Sequence, residues 1–113
     1  MPQNNHLTIA PLFAVEENIQ ALGRNLRTAR IRRNMTMSDA AGRIGTGVRA
    51  VRDAENGKVT TSIIVYFALL WLYDLLPDAG SLANPDEDEV GKRLSFNREP
   101  KRAYALKGFD NDF

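Results

Sequence analysis

Arg49, Arg52 and Asp53 fall within the stretch Gly45–Gly57, which reads Gly-Thr-Gly-Val-Arg-Ala-Val-Arg-Asp-Ala-Glu-Asn-Gly. On a helical wheel these three side chains share one side, and Ala50, Val51 and Ala54 gather on the other. The small inner residues let such a helix sit close against a core. The outer side presents two arginine forks and one carboxylate, which suits a helix pressed into a DNA major groove, where arginine pairs with guanine edges or with phosphates. A solvated amphipathic helix with a mixed-charge face has the same pattern, so this stretch by itself leaves both readings open.

Other chemistries have little to work with. There is no cysteine, so neither disulfides nor thiolate metal sites can form, and His6 is the lone histidine. There is no phosphate-cradling glycine loop and no histidine near a nucleophile, and the acids Asp86–Glu89 lie in a solvated run. The expectation is a protein without catalytic activity, cofactor or metal. Charge is unevenly spread beneath a formal total of +1. Leu22 to Lys58 holds nine basic residues against three acids, a local +6, whereas Asp78 to the end holds eight acids against six basic residues, or −2. The first region suits a polyanion. The start of the chain lacks the basic opening and long apolar stretch of a signal peptide, and a cytoplasmic protein is expected.

The elements that would position the arginines can be read in order. Residues 1–15 are expected to be a loose arm. A first helix is expected from Glu16 to Arg33, with Ile19, Leu22, Leu26 and Ala29 inward and Asn34 as its breaker. A second follows the N-cap Thr36, with Asp39 three residues on and Ala40, Ala41 and Ile44 inward, and Gly45 stops it. The third is the Gly45–Gly57 stretch, closed by Asn56-Gly57. Two short helices joined by a glycine-containing turn form a helix-turn-helix. Thr60, Thr61 and Ser62 cap a fourth helix over Ile63–Leu72, ten apolar residues that fall far short of a membrane span and are expected to be buried all round, partly by a second chain. A short fifth helix is expected over Asp74–Leu82, which closes a domain at 16–82. The extension 83–113 is expected to hold a short helix through Leu94 and otherwise to be flexible or ordered by a partner.

With these elements placed, the sequence resembles the Xre family, the Cro/C1-type helix-turn-helix domains of phage repressors. The matching residues are Leu22, Leu26 and Arg30, then Thr36, Ala41, Gly45, Val51 and Glu55-Asn56-Gly57-Lys58. The resemblance implies an all-α bundle of five short helices with the third helix in the major groove, followed here by a flexible C-terminal extension. It implies base reading by Gly47, Val48, Arg49, Arg52 and Asp53, and a phosphate contact at Thr36 and Met37; Arg43 and Lys58 are the candidates for supplementary phosphate contacts. It further implies a partly buried ion pair between Arg30 and Glu55. Two departures stand out: Met37 replaces a usual glutamine that helps to hold a phosphate, and Gly47 replaces a usual hydroxyl-bearing residue. Backbone amides at the start of the second helix are therefore expected to carry more of the phosphate contact.

The function implied is a homodimeric transcriptional repressor on a palindromic operator in double-stranded DNA. Trp71, Leu72, Leu75 and Leu76 are the expected dimer surface. The segment Asp86-Glu87-Asp88-Glu89-Val90-Gly91 with Pro100-Lys101-Arg102 looks like the extensions of HipB-like antitoxins, which repress their own operon and bind a HipA-like kinase toxin. Phe109 and Phe113, flanked by Asp110 and Asp112, would anchor such a partner. The competing readings are a plain phage-type repressor without a toxin partner and a protein-binding module in which DNA binding is secondary.

Overall fold

The computed structural model describes residues 12–98; His6, Pro100-Lys101-Arg102, Phe109 and Phe113 lie outside them. The chain divides into two compact units between Ala79 and Gly80. The first holds α1 (Phe13–Arg32), α2 (Met37–Ile44), α3 (Val48–Glu55), α4 (Ile63–Leu72) and α5 (Leu76–Ala79). It is the all-α, five-helix Cro/C1-type bundle that the sequence implied.

The four longer helices stop by one device. Asn34, Gly45, Gly57 and Asp74 each take a left-handed backbone conformation, with φ of 56°, 79°, 68° and 62°. The amide of the following residue then reaches back to a carbonyl five positions earlier: Met35 to Arg30, Thr46 to Ala41, Lys58 to Asp53 and Leu75 to Leu70. These bonds satisfy carbonyls that a helix end otherwise leaves exposed, and they turn the chain sharply enough for the next helix to begin within a few residues. The device corrects the fifth helix. Asp74, expected to begin it, is itself the turn residue, so α5 is the four residues Leu76–Ala79 rather than Asp74–Leu82.

Two other boundaries shift. α1 begins at Phe13, three residues before Glu16, because nothing between Pro11 and Gly23 interrupts helical geometry, and it ends at Arg32. Phe13–Val15, expected to belong to a loose arm, are already helical. α2 starts as read: the Asp39 amide donates to Thr36 Oγ1 at 2.9 Å, and the Thr36 amide donates to the Asp39 carboxylate at 3.0 Å. These bonds hold the Asp39 carboxyl below the usual carboxylate range.

The core of this unit is Leu26, Ala29, Ala40, Ala41, Val51, Ala54, Tyr66, Leu69 and Tyr73. Small residues line it, Ala29 on α1, Ala40 and Ala41 on α2 and Ala54 on α3, which lets α3 pack closely on α1 and α2. α1 approaches the end of α3 most tightly at two glycines. A Cβ on Gly23 would lie 2.5 Å from the Ala54 carbonyl oxygen, and one on Gly57 would lie 2.5 Å from the Gln20 Cα. No side chain fits at either place.

An ion pair is locked into the same seam. Arg30 Nε donates to one Glu55 carboxylate oxygen at 2.6 Å and Arg30 Nη2 donates to the other at 3.0 Å, while Nη1 donates to the Met35 carbonyl at 2.8 Å. Both residues are buried, at 8% and 5% exposure. The fork geometry satisfies the carboxylate on both oxygens and raises the arginine's proton affinity further, chiefly through the bond to Glu55. Beside it lies Tyr73, whose carbonyl accepts from Arg33 Nη2 at 2.9 Å and whose ring sits 5.5 Å below the Arg33 guanidinium. The Tyr73 hydroxyl is buried without a hydrogen-bond partner among the described residues.

The fourth helix is covered by its own chain on one side only. Tyr66 and Leu69 are buried, but Ile63, Ile64 and Trp71 are 69%, 71% and 61% exposed. Length and hydropathy gave no sign of which side would pack, and only one side does.

The second unit contains a 3-10 turn at Pro85–Glu87 and α6 (Glu89–Asn97). α6 runs three residues past the expected end at Leu94, capped by the Asp88 carboxylate on the Gly91 amide at 2.9 Å. Val90, Leu94 and Phe96 are exposed along it.

Glu55→Ala should lower stability by about 3–5 kcal/mol, since it strands a buried guanidinium with one neutral acceptor. Urea unfolding measures this, and an unchanged midpoint would contradict the pair's structural role. Tyr73→Phe should leave stability unchanged or raise it by about 1 kcal/mol, because the hydroxyl removed is desolvated and unpaired. Burial, then the Glu55 charge, pushes the Tyr73 hydroxyl's pKa up. The phenol's neutral form is thus favoured in the fold, and its contribution is complete below pH about 10 and lost as pH rises beyond it. The phenylalanine variant should unfold less readily than the parent in that alkaline range.

Candidate nucleic-acid interface

α3 is eight residues long, too short to be stable in isolation, so its order comes from packing. Val51, Ala54 and Glu55 are buried against α1 and α2, and this fixes which residues face out. Arg49 and Arg52 are exposed, and Val48 and Asp53 are half-exposed beside them. Gly47 caps the helix in extended conformation, φ −86° and ψ 161°, with no side-chain bond to the first turn. A Cβ there would meet nothing within 4 Å, so the site has room for the hydroxyl-bearing residue that glycine replaces. Neither Arg49 nor Arg52 forms an ion pair within the described residues. Asp53 does: its carboxylate lies 3.9 Å from Lys58 Nζ, across the turn that ends α3.

The residues assigned to phosphate contact are distributed around this helix. The Thr36 hydroxyl accepts from Asp39, and the Thr36 carbonyl accepts from Ala40. The capping box and the first backbone helical bond therefore occupy two of the first four amides of α2, leaving those of Met37 and Ser38 at its positive end for an outside acceptor. The Met37 side chain packs against the core, so its offering to a phosphate is its backbone. Ser38 was missed in the sequence. Its exposed hydroxyl stands at the second position of α2, and a serine in the first turn after the N-cap was the available signal. Arg43 is exposed in the last turn of α2, and Lys58 is exposed just beyond α3.

The four residues named for a dimer surface are split by the fold. Trp71 projects from α4, whereas Leu72 and Leu75 are partly buried against the unit's own core, and Leu76 is half-buried in α5. Arg30 and Glu55 meet in the seam described above and present nothing to a ligand.

Among the described residues, no group of three or more histidines or carboxylates is placed to hold a metal ion. Among the same residues, no helix is long and apolar enough to cross a membrane. What the geometry provides is a short, rigidly seated helix with two outward guanidinium forks, flanked by a second helix whose first amides are open.

No curated protein and no solved structure matches the chain. Residues 26–75 match the family model described as Helix-turn-helix, from the middle of α1 to the residue before α5. The match over that stretch supports a helix-turn-helix DNA-binding domain, and with it a DNA-binding regulatory protein.

Proposed function

We propose that the chain is a sequence-specific transcriptional repressor that binds a palindromic operator in double-stranded DNA as a homodimer. The observation that carries this reading is the outer face of α3, where Arg49 and Arg52 stand exposed on a helix held rigid from behind. A helix of this length enters the major groove with its N-terminal residues nearest the bases. Arg49, in the first turn, is the residue we assign to a guanine edge, with Val48 against an apolar base edge. Asp53 is steered by Lys58 at the far end of the helix. The amides of Met37 and Ser38, with Arg43 and Lys58, hold phosphates and set the register. Two copies on a palindrome would place their α3 helices about 34 Å apart, one turn of DNA.

We further propose that this repressor is the cytoplasmic, autoregulating antitoxin of a toxin–antitoxin pair with a HipA-like kinase as partner. Support comes from the resemblance of the extension to HipB-like proteins and from the exposed Val90, Leu94 and Phe96 on α6.

Arg49→Ala should cost about 1–3 kcal/mol of discrimination between operator and scrambled duplexes. Fluorescence anisotropy with both duplexes reads this, and an equal loss on each would reduce Arg49 to a phosphate contact. Lys58→Gln should instead weaken both duplexes alike and lower the slope of log affinity against log salt by about 1. For the partner, removal of Gly108–Phe113 should leave operator affinity intact while releasing the co-purifying kinase. Lost operator binding with the kinase retained would overturn the assignment of that segment.

A further inference from the structure

The outer side of α4 is the largest unexplained feature of the first unit. Ile64, Ala68 and Trp71 follow one another at helical spacing, with Ile63 and the half-buried Phe67, which also packs on the core, beside them, and Ile64 and Trp71 are 71% and 61% exposed. Monomeric proteins rarely leave a continuous apolar stripe of this kind in water. From Val59 to Tyr73 the chain has no charged residue, although 26% of the whole chain is charged. A stripe without charge offers nothing to nucleic acid or to an acidic or basic partner. It can meet itself without opposing like charges.

We infer that this stripe is the centre of a two-fold interface with a second copy of the chain, in which α4 packs antiparallel on α4. The inference deepens the repressor reading above, which needs two copies, and it identifies how they join. With the axis passing between Phe67 and Ala68, Ile64 of each copy faces Trp71 of the other, roughly 10 Å along the helix from its own Trp71. Ala68 at the middle permits close approach. A groove of about 250 Å³ lies beside Ile64, lined by Ile44, Gly45, Thr46, Ile64, Val65 and Ala68. In this register the indole of Trp71 from the second copy enters that groove, and a large side chain meets a hollow on both sides of the axis. The stretch is bounded by Lys58 at one end and Asp74 at the other. Antiparallel order brings unlike charges to each rim, whereas parallel order would bring like charges together. Stable interfaces cover about 800 Å² on each partner, so the stripe supplies the dry centre and its flanks supply the rim. Leu72 and Leu75, half-buried in their own core, are not part of it.

The test uses the full chain in sedimentation equilibrium, with circular dichroism as the folding control. The parent should be a dimer. Ile64→Lys alone and Trp71→Glu alone should each weaken dimerisation by about 30-fold or more, since each places a charge in an apolar centre. Mixed in equal amounts, the two variants should recover a heterodimer. The introduced lysine of one copy then faces the introduced glutamate of the other, and at the second contact native Ile64 meets native Trp71. Only this register predicts that rescue. A monomeric parent, variants that remain dimeric, or a mixture that fails to recover would each overturn the inference. Operator discrimination by the parent, and its dependence on Arg49, is read separately by anisotropy. A dimer that fails to discriminate would refute the repressor reading and leave the interface standing.

Discussion

The paired bonds from Arg30 to Glu55 hold the last turn of α3 on α1, and the rest of the domain is arranged around that attachment. Two charges in a core are costly unless every strong hydrogen-bonding group is satisfied. Here the carboxylate receives one donor on each oxygen and the third guanidinium nitrogen reaches the Met35 carbonyl, in the turn between α1 and α2. One side chain therefore ties together α3, α1 and the approach to α2. The pair also fixes rotation. If α3 turned about its own axis, Glu55 would leave Arg30 unpaired, and Arg49 and Arg52 would lose their outward direction.

Steric exclusion works with this polar lock. Gly23 and Gly57 admit the backbone of α3 to within contact of α1, and their missing side chains make any other separation of the helices poorly packed. An ion pair specifies orientation but tolerates some sliding, whereas a glycine seam specifies distance. The helix that presents the arginines is constrained in both respects by residues that never reach the surface.

Much of this was legible in the residues. Gly45 and Gly57 announce helix ends because glycine alone takes a left-handed backbone without a steric cost, and Thr36 with Asp39 announces a beginning. The same turn at Asp74 was hidden, since aspartate adopts that conformation less often and apolar residues continue on both sides of it. The outward set on α3 follows from helical periodicity. The partnership of Arg30 with Glu55 does not, because two charges twenty-five positions apart carry no mutual signal, and it was accessible only through resemblance to a family. Which side of α4 its own chain covers was not legible, because composition measures how apolar a helix is and not how much of it the chain itself can cover. Tyr73 escaped notice for a related reason: a tyrosine at the end of an apolar run gives no hint that its hydroxyl will be sealed beside an ion pair.

The seating of α3 bears on how tightly the protein can hold a ligand. A free segment of eight residues would have to fold as it bound, and ordering each residue's backbone would weaken the association by about 1–2 kcal/mol. Because Gly23 and Gly57 let α1 hold the helix in advance, that entropy is lost during folding and not at recognition. Recognition by this helix should then resemble rigid docking, with a heat-capacity change set by the surface covered and none arising from a coil-to-helix transition. A bulky residue at position 23, far from any ligand, would convert the same encounter into coupled folding and binding.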